Sequence, residues 1–288
     1  MIDFSIIIPH KNIPHLLQRC LNSIPQREDI SIFVVDDNSD PSIVDFDTFP
    51  GSNNPQCKII RTFEGKGAGF ARNVALNQAD SRWILFADCD DFFTDKLSTF
   101  LDKYKDSKAD VVYFFNETID NETNLPLSQD KKVEKLIPLC LQKQNYDPLR
   151  YLSHNPWCKM VKLSLIREHN IQFQEVKASN DVWFSTLVGY HAKDIKVCEI
   201  PIYTRTVRQG SLQYSLNKDA LLSRIQVGYK VNRFLKTIGK IEYYNETWGY
   251  FCDLRRISWG IFIKTAPSYL LRMPIAAFKK NILHKILE

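Results

Sequence analysis

The sequence predicts an α/β fold, with a mostly parallel sheet covered by helices on both faces and a helical extension at the C-terminus. In the first half, short apolar runs alternate with segments of helical periodicity, as in chains of repeated strand–helix units. The apolar runs are nearly continuous rather than alternating with polar residues, which is typical of parallel strands buried on both faces. Beyond about residue 217, only helical spacing remains.

The strands of the first half follow from these apolar runs. They are predicted over 4–9, 30–35, 57–63, 82–87 and 110–115. Helices are predicted between them, over 14–24, 67–79 and 94–105. Pro9 ends the first strand because proline cannot donate a backbone hydrogen bond, and Pro14 suits the first turn of a helix.

The second half is less regular. Residues 147–173 mix short helices with a loop, a helix capped by Ser179 or Asn180 covers 179–192, and 195–206 is strand-like. Three helical segments follow, over 217–237, 245–263 and 267–287. We therefore expect one domain over 1–216, with an N-terminal half (1–115) and a second half (116–216), and a separate helical region over 217–288.

The C-terminal tail carries the net charge of the chain, which is +5. Residues 248–288 contain seven Lys or Arg and two acids, interleaved with aromatic residues, so the rest of the chain is neutral. This composition favours peripheral contact with an anionic membrane. Packing on the fold and a homodimer interface are the alternatives, and no nucleic-acid recognition motif is present.

Other features indicate a reduced, cytoplasmic protein. The N-terminal stretch lacks the basic and apolar regions of a signal peptide, and no apolar run approaches the ~20 residues that span a bilayer. The seven cysteines are odd in number and form no CxxC pair, so neither a disulfide framework nor a zinc site is indicated.

Polar residues follow three of the predicted strands. They are Pro9-His10-Lys11-Asn12, Asp36-Asp37-Asn38-Ser39 and Asp88-Cys89-Asp90-Asp91. Parallel strands bring their carboxyl ends to one edge of the sheet, which is where ligands bind in open α/β folds. The sequence therefore predicts a ligand site formed by these three segments.

The segment with three acids is the most informative of them. Two carboxylates at the spacing of Asp88 and Asp90 can share a hard divalent cation, and a solvated turn is the alternative. A glycine-rich turn over 65–73, with Lys66 and Arg72, suits an anion at a helix N-terminus. It matches neither the Walker A nor the dinucleotide pattern, so a flexible loop is its alternative.

Taken in order, "FSIIIPHKN", "VVDDNS", "GAGFARN" and "WILFADCDD" resemble the nucleotide-binding half of the GT-A fold. The resemblance is to the large family-2 type of inverting, nucleotide-sugar-dependent glycosyltransferases of bacterial polysaccharide synthesis. It covers residues 4–93 and continues more weakly to about 211. This chain departs from the family pattern at His10-Lys11, where Val-Tyr is usual, and at Asn180, where Glu is usual.

The resemblance implies a role for each matching residue. The nucleotide-binding residues would be Pro9, Asn12, Asp37, Lys66, Arg72 and Asp88. Asp90 would be the ligand of Mg²⁺ or Mn²⁺, and Asp181 would be the catalytic base. Arg208 and Ser211 would belong to the loop that binds the diphosphate, and His154 and Trp157 would bind the acceptor. The alternatives are a helix-terminal acid stabilised by the helix dipole for Asp181 and a half-buried core residue for Trp157.

The implied activity is transfer of a hexosyl or N-acetylhexosaminyl group from a nucleotide sugar, with inversion. A UDP-sugar is the default donor, and thymidine and guanosine donors remain open. The acceptor would be a glycan or lipid-linked hydroxyl in capsule or O-antigen synthesis, at the inner face of the cytoplasmic membrane. The alternatives are a phosphohydrolase of the haloacid dehalogenase type and a non-catalytic module that binds sugar nucleotides.

Overall fold

The computed structural model describes residues 2–127, 132–208 and 217–272, and the sheet runs through the first two of these segments. Its eight strands are β1 (Phe4–His10), β2 (Ile30–Asp37), β3 (Cys57–Thr62), β4 (Trp83–Phe86), β5 (Phe92–Phe93), β6 (Val111–Asp120), β7 (Lys159–Lys162) and β8 (Ile195–Val207). Their order is β3-β2-β1-β4-β7-β6-β8-β5. Only β5 and β7 among these strands run against the others, so the predicted mostly parallel sheet is confirmed.

The helices described by the structure cover both faces of this sheet. They are α1 (Pro14–Asn22), α2 (Ala68–Gln78), α3 (Leu97–Tyr104), α4 (Lys132–Lys143), α5 (Asp147–Leu152), α6 (Leu163–Glu168), α7 (Asn180–His191), α8 (Lys218–Thr237), α9 (Trp248–Ile257) and α10 (Trp259–Arg272). Every residue of β1 and β2 is buried. Because side chains alternate between the faces of a sheet, both faces must be covered there.

The register of the strands brings the predicted polar ends together. In the parallel pair of β1 and β2, His10 lies opposite Asp36, and in the pair of β1 and β4, Ile7 lies opposite Phe86. All three strands therefore end at one edge of the sheet, with Asp37 following Asp36 and Asp88 two residues beyond Phe86.

The structure adds β5 and α4, which the sequence analysis did not predict, and it differs from the expected elements in two further places. Within 147–173, Lys159–Lys162 forms β7, a strand of four residues that pairs antiparallel with β4 and β6. The single helix expected over 245–263 is wrong, because Ser258 is extended (φ −162°, ψ 120°) and separates α9 from α10. The Ser258 hydroxyl accepts from the backbone N–H of Ile261, as serine does where it caps a helix start.

The C-terminal helices pack on the second half of the chain. Val227, Val231 and Leu235 of α8 share a buried cluster with Tyr151 of α5, and Val182 of α7 packs against it. A second cluster joins α8 to α9 through Leu221, Ile225, Phe251 and Leu254. The third predicted helical segment, 267–287, is α10 up to Arg272 and lies outside the described residues beyond it. Within the described ranges, each helix is too short or too polar to cross a membrane.

Candidate active site

A cleft of about 710 Å³ lies at the edge where β1, β2 and β4 end. It is lined by residues from the sheet edge, the start of α2, the start of α7, the end of β8 and the C-terminal helices. Nine of the twelve predicted site residues line it: Pro9, Asp37, Arg72, Asp88, Asp90, His154, Trp157, Asp181 and Arg208. Side chains separated by up to about two thirds of the chain therefore meet in one site.

The other three predicted residues are placed differently. The Asn12 side chain accepts from the backbone N–H of Asp40 (2.8 Å) and holds the loop after β2. Lys66 is exposed, with its ammonium 3.8 Å from the Glu175 carboxylate. Ser211 lies outside the described residues. Their roles in binding remain predictions.

Arg72 connects the acidic turn to the start of α7. Its side chain is almost fully buried, and its guanidinium donates to Asp88 Oδ1 (2.5 Å) and to Asn180 Oδ1 (2.9 Å). Burial raises the pKa of Asp88, and the neighbouring Asp90 adds to this shift, while Arg72 opposes it. Arg72 is thus a fixed positive charge held between two oxygen acceptors.

The glycine-rich turn leads into α2 and packs closely against a neighbouring segment at Gly69. Gly67, with φ +93°, precedes α2 and donates its backbone N–H to Asp37 Oδ2 (2.7 Å). A Cβ on Gly69 would lie 2.2 Å from the carbonyl oxygen of Gln174, so only glycine allows this approach. Gly67 and Ala68 line the cleft, and the predicted anion-binding helix start therefore faces the site.

Asp91 shapes the acidic turn from inside the protein. Its carboxylate accepts from the backbone N–H of Thr206 (2.7 Å) and from the Tyr203 hydroxyl (3.0 Å). The same hydroxyl accepts from the backbone N–H of Asp88 (2.9 Å). Burial, together with the charges of Asp90 and Asp88, raises the pKa of Asp91 well above its ordinary value. Asp91 is therefore a structural acid, and Asp88 and Asp90 are the acids available to a ligand.

Asp88 and Asp90 fit a divalent cation that keeps most of its coordination positions for a substrate. Arg208 donates to Asp90 Oδ2 (3.0 Å), and Arg72 donates to Asp88 Oδ1, so the second oxygen of each carboxylate has no side-chain donor among the described residues. The described residues hold no cluster of three acidic, histidine or cysteine ligands. Mg²⁺ characteristically binds through one or two carboxylates plus phosphate oxygens of a substrate, and Asp88 and Asp90 could supply the two carboxylates.

Asp181 lies in the first turn of α7 and lines the same cleft. Burial raises its pKa, and the positive charge of Arg72 opposes that shift. Lys159 is fully buried nearby, donates to the carbonyl oxygen of Ser153 (2.6 Å), and has a pKa lowered by burial. Asp181 is therefore a carboxylate in a poorly solvated position that opens onto the cleft, which suits a proton acceptor.

His10 connects the ends of β1 and β2 where they line the cleft. Its Nδ1 lies 2.8 Å from Asp36 Oδ2, and its Nε2 accepts from the backbone N–H of Ile13 (3.2 Å), so the ring proton is on Nδ1. Burial acts to raise the pKa of Asp36, but hydrogen bonds from His10 and Ser39 outweigh it and hold the pKa below its ordinary value. Asp36 is thus fully engaged, and Asp37 is the carboxylate left for a ligand.

His154 and Trp157 belong to the segment between α5 and β7, and both line the cleft. His154 Nε2 is 2.9 Å from the carbonyl oxygen of Tyr151. The Trp157 indole is only 6% exposed and stacks on the Tyr203 ring, with centroids 5.1 Å apart and planes 11° apart. Most of the Trp157 surface therefore belongs to the core, although its edge reaches the cleft.

The cleft also has lining residues outside the twelve predicted ones. Among them are Lys11, which belongs to a predicted strand end, and Lys177, Asn180, Arg205, Arg224 and Tyr250. Asn180 could have been found, because its departure from the family pattern is visible in the sequence. Arg224 on α8 and Tyr250 on α9 lie beyond the residues that carry the family pattern, and helical periodicity does not show which neighbour a polar side chain faces.

Comparisons with known proteins agree with this geometry. The model of the family described as glycosyl transferase family 2 matches residues 5–169. Poly(ribitol-phosphate) β-N-acetylglucosaminyltransferase TarS of Staphylococcus aureus is 26% identical over 221 residues, which are 73% of this chain and 36% of TarS. Poly(ribitol-phosphate) β-glucosyltransferase of Bacillus spizizenii is 30% identical over 200 residues, 67% and 30% of the two chains. This chain spans about a third of these relatives.

Solved structures show the same fold. A TarS fragment, residues 1–349 in complex with UDP-GlcNAc, matches with a TM-score of 0.67 at 20% identity, covering 96% of this chain and 83% of that one. The mannosyltransferase PcManGT of Pyrobaculum calidifontis, in complex with GDP-Man and Mn²⁺, matches with a TM-score of 0.54 at 15% identity, covering 99% and 79%. The GT-A fold that the sequence predicted is thereby confirmed.

Proposed function

Because this chain belongs to glycosyl transferase family 2, we propose that it transfers a sugar from a nucleoside diphosphate sugar to an acceptor hydroxyl, with inversion at the anomeric carbon. The observation that carries the proposal is the meeting of Asp90, Arg72 and Asp181 in one cleft. This reaction needs a pair of acids that can hold a metal, a fixed cation that can bind a diphosphate, and a separate carboxylate that can accept the proton of a hydroxyl group. Family membership leaves the phosphohydrolase alternative without support.

The donor is a UDP-sugar in this proposal. Asp37 Oδ1 is buried and has no hydrogen-bond partner within the described ranges, so an N–H donor from a ligand would satisfy it. The imide N–H of a uracil ring has that chemistry, and a thymine ring shares it. The relatives are named as N-acetylglucosaminyl- and glucosyltransferases, which supports an N-acetylhexosaminyl or hexosyl group.

The leaving diphosphate would be bound by charges on both sides. Asp90 and Asp88 would hold Mg²⁺ or Mn²⁺, which as a Lewis acid stabilises the charge that develops on the diphosphate. Arg72 is oriented by Asp88 and Asn180, and Arg208 by Asp90, so both guanidinium groups are already in place before a substrate arrives. Such preorganised charges act without reorganisation during the reaction.

Asp181 would act as the general base. Its carboxylate removes the proton from the acceptor hydroxyl as the oxygen attacks the anomeric carbon, and the bond from that carbon to the diphosphate oxygen breaks on the opposite face. The configuration is therefore inverted. Burial makes Asp181 more basic than an exposed carboxylate, which favours proton transfer near neutral pH.

The acceptor is proposed to be a cell-surface polymer or its lipid-linked precursor at the cytoplasmic face of the membrane. The relatives act, by their names, on poly(ribitol phosphate), and capsule or O-antigen precursors offer the same kind of hydroxyl. A membrane contact is supported by Trp259 (61% exposed) and Ile263 (63% exposed) on α10, beside the basic Arg255 and Arg256 on α9. A homodimer using the same surface is the competing proposal.

The direct test is a donor screen with the full chain and Mn²⁺ or Mg²⁺. UDP-GlcNAc, UDP-glucose, dTDP-glucose and GDP-mannose would each be incubated with the protein, and released nucleoside diphosphate and inorganic phosphate measured separately. Release of UDP without phosphate from a UDP-sugar is expected. Release of phosphate would point to the phosphohydrolase, and donor binding without any release would point to the non-catalytic module.

A further inference from the structure

A second cavity, of about 370 Å³, opens beside the cleft. The two cavities share six lining residues: Leu152, His154, Ser179, Val182, Arg224 and Tyr250. Ser179 and Val182 lie within two positions of Asp181 in the sequence, so the side cavity adjoins the place where the acceptor hydroxyl would lose its proton. It is therefore continuous with the acceptor end of the site.

The outer wall of the side cavity is formed by α8, by the loop 244–247 and by α9. A Cβ on Gly228 would lie 2.3 Å from Thr247 Cγ2, so glycine allows the loop to lie directly on α8. Asn232 and Asn245 are joined by two hydrogen bonds, from Asn232 Nδ2 to the Asn245 carbonyl (3.0 Å) and from the Asn245 N–H to Asn232 Oδ1 (2.7 Å). This wall is well fixed, and all of it lies beyond the residues that match the family model.

The lining of the side cavity combines an aromatic surface with both donors and acceptors. The Arg224 guanidinium lies over the Tyr250 ring, 5.4 Å from its centroid. Asn245 Nδ2 is buried and has no acceptor among the residues that the structure describes. Glu242 and Glu246 add acceptor oxygens, and their charges oppose that of Arg224. A neutral unit rich in hydroxyl groups fits this lining better than a phosphate does.

We infer that the side cavity is a subsite for a second hydroxyl-rich unit of the acceptor, either a saccharide or a polyol, next to the unit that receives the transferred sugar. This inference rests on the proposed transferase function. The volume lies within the ~300–1,000 Å³ of typical small-molecule pockets, which leaves room for such a unit. Tyr250 would contact its apolar face, and Arg224 and Asn245 would donate to its hydroxyl groups. The enzyme would then prefer acceptors of two or more units.

The experiment uses acceptors of defined length with the full chain, Mn²⁺ and the UDP-sugar found by the donor screen. The acceptors are one to four units long, in three series: β-linked N-acetylglucosaminides, ribitol phosphates and glycerol phosphates. In the last two series the neutral polyol part would enter the cavity, and the phosphate groups that link the units would lie outside it. Transfer of the sugar to the acceptor and hydrolysis of the UDP-sugar by water are measured in the same samples. The variants are Arg224→Ala, Arg224→Lys and Tyr250→Ala, and the control is Arg233→Ala, an exposed arginine on the same helix.

The wild-type chain should transfer more efficiently to two units than to one, and the series that shows this identifies the unit as saccharide or polyol. Arg224→Ala should lower the ratio of transfer to hydrolysis for the longer acceptors by about tenfold, as expected when a hydrogen bond to a charged group is lost. Tyr250→Ala should lower the same ratio, because the unit loses its aromatic contact surface. Arg224→Lys should lose less, and Arg233→Ala should match the wild type. Tyr250 is partly exposed, so its variant should fold, and melting curves would check the others.

The inference would be overturned by equal transfer to one and two units, by unchanged ratios in both Arg224→Ala and Tyr250→Ala, or by UDP release without transfer to any acceptor. Failure of the proposed function would look different, since no UDP would then be released from any donor, whether or not the donor binds.

Discussion

The guanidinium of Arg72 on α2 donates a hydrogen bond of 2.5 Å to the carboxylate of Asp88 at the end of β4. The glycine-rich turn and the acidic turn are therefore one ionic unit, although each is a separate motif in the sequence. The second donor of Arg72 reaches Asn180, the residue before Asp181. One buried cation thus connects the groups proposed to bind the donor with the helix that carries the proposed base.

Replacing Asp90 should abolish metal-dependent release of UDP from the donor. Asp90→Ala removes the carboxylate proposed to hold the cation, and the loss of several kcal/mol of charge stabilisation corresponds to a decrease in kcat of at least about 100-fold. Asp95→Ala, an exposed acid five positions further along, is the matched control and should behave as the wild type. Unchanged wild-type turnover after EDTA treatment would refute the metal assignment.

Asp181→Asn should lower transfer by about 10²- to 10⁴-fold, the usual contribution of a positioned general base, while calorimetry still shows donor binding. Its melting temperature should not fall, because burying an ionised carboxylate opposes folding at neutral pH. Asp219→Asn is the control, since Asp219 occupies the first turn of α8 as Asp181 does that of α7. If the two variants lose equal activity, Asp181 is only a helix-terminal acid.

As the pH is lowered, the rate of transfer should begin to fall at a pH above the pKa of an exposed aspartate, which is ~3.9. The general base must be ionised, and burial raises the pKa of Asp181, so activity is complete above that pKa and is lost as the pH falls through it. A pH profile of kcat/KM for the acceptor, with UDP affinity measured at each pH, would separate this effect from donor binding. If the loss of activity at low pH follows the loss of UDP affinity, the titrating group belongs to donor binding and not to Asp181.

Gly69→Ala should destabilise the fold by about 1–3 kcal/mol, the usual cost of inserting a methyl group into packed structure. The added Cβ would lie 2.2 Å from the Gln174 carbonyl oxygen, so α2 and the segment before α7 must separate. Gly249→Ala is the control, because a Cβ there meets nothing within 4 Å and alanine favours the helix by up to ~1 kcal/mol. Urea unfolding measures both, and equal midpoints would contradict the close approach.

Replacing two exposed apolar residues of α10 should weaken binding to anionic vesicles. The variant Trp259→Ser/Ile263→Ser removes the side chains proposed to enter the interface, and high salt should weaken binding of the wild type, since each basic residue contributes about 1 kcal/mol. Truncation before α9 is unsuitable, because it would uncover Leu221 and Ile225. The control is Ile43→Ser/Phe63→Ser, which removes two exposed apolar residues of the N-terminal half. If both variants co-sediment with the vesicles equally well, the C-terminal helices do not bind the membrane through these residues and only pack on the fold.

The sequence predicts the parts of the site that depend on strand ends. Asp37, Asp88 and Asp90 follow apolar runs directly, and parallel pairing brings such positions to one edge. It does not predict that Asn180 accepts from Arg72, since the two are 108 positions apart and their contact depends on how α2 and α7 pack. It also misses Arg224 and the break at Ser258, because helical spacing specifies neither the neighbour of a face nor the end of a helix.

The Tyr203 hydroxyl, which joins the Asp88 backbone to the Asp91 carboxylate, also determines when during synthesis the acidic turn can take its final form. Tyr203 lies 115 positions after Asp88 and 112 positions after Asp91. Thr206, the other partner of Asp91, lies 115 positions after it. Contacts of such long sequence separation form late, because a large loop must close first. A nascent chain that has emerged as far as residue 169 therefore carries the whole family match but lacks the strand that holds its acidic turn together.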